Sequence, residues 1–289
     1  MDCYPLRYLR LQACMLKHAL QRNFITADHY QRSYDALAGR YNDTWLIHLR
    51  SVTDSLVSRL PDIPDGRIID IGCGTGYSTS LLADTYPGHC IEASDISANM
   101  LDQARKCCSC NAVSFVRSDM LDHLSSLESA STSMVFSAWA IGYSKPARII
   151  REAARVLKPG GIFAFVVNYS NTLRPVILSL WETMLAFPDD VAMTVNHHFP
   201  RTWRSLQKAM SSCHLGLLWK EEGNHVIATP EDLPGDPLAW LLNTGTLAGF
   251  EYMLPLRTNR EIADWFNHNL HSRHETIYHH YVMAAGRCS

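Results

Sequence analysis

The sequence predicts an α/β fold, a mostly parallel sheet flanked by helices, and three observations lead there. Strand-like and helix-like segments alternate along residues 67–167, which requires crossover connections and parallel pairing. The run Arg67-Ile-Ile-Asp-Ile71 is apolar and β-branched, as a strand covered on both faces must be. It passes into Gly72-Cys-Gly-Thr-Gly76 and then a helical segment; a glycine turn between strand and helix lets a polar ligand approach backbone amides at the helix start.

The elements follow in order. Residues 4–22 alternate leucines with Arg, Gln and Lys at helical spacing, giving an amphipathic helix. The tyrosine-bearing stretch 28–42 precedes a helix over 43–60, carried by Leu46, Ile47, Leu49, Leu56, Val57 and Leu60 and ended by Pro61 and Pro64. Core strands are predicted near 67–72, 90–95, 113–117, 133–138 and 161–167, with helices near 77–86, 97–107 and 145–157. Residues 171–212 then carry Leu173, Val176, Ile177, Leu180, Trp181 and Met184 at helical spacing, and a second helix follows at about 201–211. A strand at 215–222 with a turn at Glu222-Gly-Asn224, a helical stretch over 230–272 and a strand at 277–285 complete the pattern.

Bulk properties narrow the function. The 289 residues are 47% hydrophobic with a formal net charge of −2, enough for one α/β domain with additions. The charge offers no general attraction for nucleic acid, and Arg201, Arg204 and Lys208 read as a solvated helical face, so a nucleic-acid partner is not expected. With no leader-like segment and no run of about 18 apolar residues, the expected location is cytoplasmic, without a membrane span. The nine cysteines then read as reduced thiols, Cys107, Cys108 and Cys110 included, since no second Cys-x-x-Cys closes a tetrahedral site. His268, His271 and His274 lack a metal motif, and no metal is expected.

The turn excludes two common ligands. A dinucleotide fingerprint needs glycine where Tyr77 stands, and a phosphate loop needs Lys before Ser or Thr. The pattern is instead Asp70-x-Gly72-x-Gly74-x-Gly76, and a carboxylate beside the turn suits an ammonium or sulfonium charge. This run resembles motif I of class I S-adenosylmethionine-dependent methyltransferases, in the small-molecule branch that includes quinone-biosynthesis and malonyl-carrier-protein types. Further segments match in register: Cys90–Asp95 with an acid 19 residues after Gly76, Ser118-Asp119-Met120, and Ala153–Ala164 with its Pro159-Gly160-Gly161 stop.

The resemblance implies a Rossmann-like, seven-stranded, mostly parallel sheet with an antiparallel last strand and helical cap insertions. It divides the chain into N-terminal helices and lid (1–60), cofactor-binding core (61–170), cap insertion and helix (171–212), core strand (213–229), second helical insertion (230–275) and final core strand (276–289). The implied cofactor is S-adenosylmethionine, released as S-adenosylhomocysteine. Its implied contacts are Asp70, Gly72, Cys73, Gly74, Thr75 and Gly76 at the turn, Asp95 and Ile96 at the ribose, Asp119 and Met120 at the adenine, and Ala138 and Trp139 beyond the fourth strand. The segment Tyr34-Asp-x-x-Ala-x-x-x-Tyr41 resembles a lid, placing Tyr34 and Tyr41 over the cofactor. The implied activity is methyl transfer to O, N or C of a small, largely apolar or aromatic metabolite. Candidate bases are His197 and His198, with Tyr143, Tyr169 and His29 as polar orienting groups. Two alternatives stand beside it: a reaction of the same fold that leaves the methyl in place, and a non-catalytic cofactor-binding partner.

Overall fold

A computed structural model describes residues 4–108, 110–195 and 198–289; the candidate base His197 lies outside the described residues. Seven strands, β1 (Arg67–Ile71), β2 (Ile91–Asp95), β3 (Val113–Arg117), β4 (Thr132–Ala138), β5 (Leu157–Asn168), β6 (Leu215–Ala228) and β7 (Ile277–Cys288), form one sheet in the order β3-β2-β1-β4-β5-β7-β6. Strands β1 to β5 pair in parallel, and β7 runs antiparallel to β5. The Rossmann-like sheet expected from the sequence is therefore present.

The chain divides into two units. The sheet unit comprises residues 38–172, 198–225 and 280–289, and the helical unit residues 4–37, 173–195 and 226–279. In the sheet unit, α3 (Tyr41–Thr44), α4 (Arg50–Ser58), α5 (Tyr77–Thr85), α6 (Ala98–Cys107), α7 (Met120–Ser126), α8 (Pro146–Val156) and α10 (Trp203–Ser212) surround the strands. One face buries Ile69, Ile71, Val135, Phe163, Phe165 and Val282 against Ile149, Ile150, Leu206 and Met210 of α8 and α10. In the helical unit, α1 (Tyr4–Leu20) and α12 (Arg260–Ser272) pack on α9 (Arg174–Ala186), with α2 (Ala27–Leu37) and α11 (Pro237–Thr244) completing it. There Ser33 donates to Glu251 at 2.7 Å, and Arg273 joins Glu182 and the Ser179 hydroxyl.

Several expectations are corrected. The stretch 43–60 is no single helix: Trp45 leaves helical geometry, a 3₁₀ turn follows at Leu46–His48, and α4 begins only at Arg50. Trp45, Leu46 and Leu49 are all buried, as they would also be on one face of a continuous helix. The tyrosine segment divides likewise, since α2 ends at Leu37 and α3 begins at Tyr41. No turn interrupts β6 at Gly223, over which the Tyr281 ring packs. Helix α7, absent from the sequence reading, is capped by Asp119, whose carboxylate accepts from Leu121 N at 2.8 Å. Strand β5 begins at Leu157, which pairs with Thr132 before the ladder resumes at Ile162 and Met134.

The cationic stretch also changes meaning. Helices α8 and α10 are packed neighbours, and Lys145, Arg148, Arg151, Arg201, Arg204 and Lys208 are all exposed on that layer.

Arg155 ties α8 to α7, donating to the Leu124 and Leu127 carbonyls at 2.8 and 2.9 Å and to Glu152 at 2.8 Å. Arg155→Ala should cost roughly 1–3 kcal/mol by removing these charge-assisted bonds between the two helices. Arg148→Ala, at an exposed position of the same helix, should stay within about 0.5 kcal/mol. Urea unfolding of both variants measures the contrast, and equal losses would refute the tie.

Candidate functional site

At the carboxyl end of β1 the chain must leave a buried strand and enter α5 within five residues. Gly72, Gly74 and Gly76 all take positive φ, at 70°, 55° and 84°. A Cβ on Gly72 would lie 2.3 Å from the Ala140 Cβ, so side-chain bulk is excluded there by the loop after β4. At Gly74 a Cβ would meet nothing within 4 Å. That peptide therefore borders open space, as a ligand cradle requires. Thr75 is buried, and its hydroxyl donates to Asn42 Oδ1 at 2.5 Å. Cys73 is buried too, and burial pushes its thiol well up, so it is an inert packing group.

Asp70 is fully buried beneath this turn, and its Oδ2 accepts from Ser78 Oγ at 2.9 Å and Thr79 Oγ1 at 2.7 Å. These hydroxyls belong to the first turn of α5, so one carboxylate fastens the helix to the strand. Its Oδ1 is buried without a partner. Burial pushes the Asp70 carboxyl up to about 6, against the pull of the two hydroxyls.

Asp95, at the end of β2, accepts from Gly74 N and Ser97 N, each at 2.9 Å. It is half-buried, as are Ile96, Asp119 and Met120. Asp119 uses Oδ1 for the α7 cap, and its Oδ2 makes no hydrogen bond among the described residues. Tyr41 is half-buried nearby: burial, and then Tyr143 and Asp95, push its phenol well up. These three residues therefore share one electrostatic neighbourhood. Past Ala138, Trp139 is buried at φ 65°, with Nε1 donating to Thr53 Oγ1 at 3.0 Å and its ring edge-on to Tyr281 at 5.6 Å. Tyr143 meets Phe199 at 5.3 Å in the same manner.

Comparison with known proteins fits this geometry. Residues 69–165 match the family described as Methyltransferase domain. That stretch, about a third of the chain, is similar to a methyltransferase domain. It is 32% identical over 177 residues to a malonyl-[acyl-carrier protein] O-methyltransferase of Dechloromonas aromatica, covering 61% of this chain and 62% of that protein. A trans-aconitate 2-methyltransferase of Sinorhizobium fredii is 32% identical over 130 residues, 44% of this chain and 48% of the other. The chain thus spans about half to six-tenths of the length of these relatives. Among solved structures, a Haloferax volcanii methyltransferase bound to the Trm112 activator superposes with TM-score 0.56 at 20% identity, covering 89% of this chain and 96% of that one. A geranyl diphosphate methyltransferase solved with S-adenosylmethionine gives 0.50 at 17%, covering 83% and 85%. The open Gly74 cradle with the Asp70 Oδ1 acceptor below it is compatible with a cationic nucleoside such as the one in that solved structure.

The methyltransferase domain treats the sequence-predicted polar residues unequally. Tyr143 and half-buried His198 lie in the sheet unit; burial and then Lys145 lower the His198 imidazole pKa. Tyr169 is buried and its hydroxyl donates to Glu222 Oε1 at 2.5 Å. That bond commits its proton to a partner 53 residues away, which gave no sequence signal. His29 and Tyr34 belong to the helical unit, where His29 Nδ1 accepts from Thr26 N at 3.1 Å and its ring meets Tyr252.

The Asp70 shift has a stability consequence. Its folded-state value of about 6 lies above the ordinary 3.8, so folding favours the protonated form. The stabilisation is complete below about pH 3.8 and lost as pH rises through about 6. Relative to Asp70→Asn, the ligand-free protein should lose at most on the order of 3 kcal/mol across that window. Thermal unfolding against pH measures the difference; a flat difference would contradict the raised carboxyl.

Proposed function

We propose that the chain is an S-adenosylmethionine-dependent methyltransferase acting on a small organic acid with apolar or aromatic parts, with a carboxylate oxygen as acceptor. The observation that carries this reading is the open cradle at Gly74, whose N–H is held by Asp95, with Tyr41 and Tyr143 in the same electrostatic neighbourhood. In this reading the Gly72 to Gly76 backbone and Asp70 receive the methionine portion of the cofactor. Asp95 and Ile96 hold the ribose, and Asp119 with Met120 holds the adenine. Tyr41, Ala138 and Trp139 close the remaining side.

When bound, S-adenosylmethionine supplies a methyl group already activated by its sulfonium. The protein then has to align an acceptor and exclude water. A carboxylate suits this domain because it is deprotonated at neutral pH and needs no base. Tyr169 donates to Glu222, and His198 is the described residue among the candidate bases. The names of two relatives, a malonyl-[acyl-carrier protein] O-methyltransferase and a trans-aconitate 2-methyltransferase, support an acidic acceptor.

The cofactor assignment is tested by calorimetry with S-adenosylhomocysteine. Gly74→Val should abolish binding, since a side chain would enter the open space and the position requires positive φ. Asp95→Ala should weaken binding by roughly 1.5–3 kcal/mol; unchanged affinity in either variant would refute the assignment.

The reaction is tested by incubating the protein with labelled cofactor and a panel of dicarboxylic acids, malonyl thioesters, phenols and amines, with mass spectrometry of the products. Methyl esters are expected, and His198→Gln should change their rate only a few-fold. A methylated phenol or amine whose formation falls by about 10²–10⁴ in that variant would overturn the carboxylate reading in favour of base catalysis.

A further inference from the structure

Asn168 ends β5, at the rim of the sheet. It is 7% exposed, and its Oδ1 is buried with no hydrogen-bond partner. A buried amide oxygen is normally satisfied, because desolvation without a compensating bond costs free energy. Among the buried polar groups of the sheet this one stands where a ligand of such folds would lie, beyond the carboxyl ends of the strands.

Its direction follows from the register. Asp70 pairs with Phe136, Phe136 with Ala164, and Ala164 with Ala285. Side chains alternate along a strand, so Asn168, four residues beyond Ala164, projects from the Asp70 face about 13 Å further toward the rim. Asp95, two residues beyond Ala93, the pairing partner of Asp70, projects from that face too. Asn168 also pairs with Tyr281, whose ring meets Trp139. Trp139 holds a positive φ that a bulky residue rarely adopts. Strained backbone and an unpaired buried acceptor thus stand together, a combination found where ligands bind.

We propose that Asn168 is a substrate-binding residue that selects acceptor molecules carrying a hydroxyl or amide N–H away from the atom to be methylated. This rests on the methyl-transfer reading. The Asn168 Oδ1 accepts that hydrogen bond, and Trp139 and Tyr281 supply the apolar wall beside it. The carboxamide neither gains nor loses a proton in the reaction, so its role is recognition.

Two variants, Asn168→Leu and the strand-compatible Asn168→Val, test this. In the ligand-free protein the unpaired acceptor disappears, so at least one variant should unfold about 2–4 °C higher. Affinity for S-adenosylhomocysteine should stay within twofold. With a methylated acceptor from the screen that carries such a donor, KM should rise at least tenfold while kcat changes less than threefold, and an analogue lacking the donor should show no difference between variant and parent. A fall in unfolding temperature in both variants, or a loss of S-adenosylhomocysteine affinity, would make Asn168 a structural residue and overturn the proposal. An unchanged KM would overturn it as well. Failure of the screen to yield any methylated product would count against the methyl-transfer reading, while the unfolding measurement would still decide whether the acceptor is held unpaired at a cost.

Discussion

The Asp70 carboxylate must stay buried at the end of β1 while holding two hydroxyls from the first turn of α5. That attachment fixes where the helix starts, and hence how the intervening peptides bend. Since the bend is tied from below, its upper side is left without side chains. Burial raises the carboxyl, and the hydroxyl bonds only partly offset this. A position optimised for stability alone would have used an apolar residue. The retained charge fits a site whose ligand brings a positive one.

The three glycines meet three different demands. Gly72 lacks a side chain because Ala140 is already there, and Gly76 because Ala104 of α6 comes within 3.0 Å of its Cβ position. Gly74 faces open space, so its demand comes from positive φ and from whatever occupies that space. Asp95 then reads as more than a ligand residue. By accepting from Gly74 N and Ser97 N it joins the second strand to the turn and to the start of α6.

Much of this was legible in the sequence because it depends on local composition. Ile68, Ile69 and Ile71 announced a strand buried on both faces, and Asp70 with its glycines announced the turn. The alternation of elements gave the parallel sheet. What escaped depended on partners distant in the chain. Tyr169 was a candidate orienting group with no partner in view, and β6 brings Glu222 to its hydroxyl. Arg201, Arg204 and Lys208 looked like an isolated helical face until α8 came to lie beside α10. The break at Trp45 left no mark on the apolar pattern, since Trp45, Leu46 and Leu49 would share one face of a continuous helix as well. Asn168 carried no motif, since an unmet hydrogen bond can be recognised only once its surroundings are known.

The strand order carries a consequence for biosynthesis. β7 lies between β5 and β6 in the sheet, yet follows both in the chain, separated from β5 by the residues that form α9, α11 and α12. During translation, β5 and β6 would each emerge with an unsatisfied edge long before their shared neighbour leaves the ribosome. Nascent chains at that stage are exposed to wrongful strand addition. Completion of the sheet is thus a late, long-range event, and the intervening helices must collapse without blocking the slot that β7 has yet to enter.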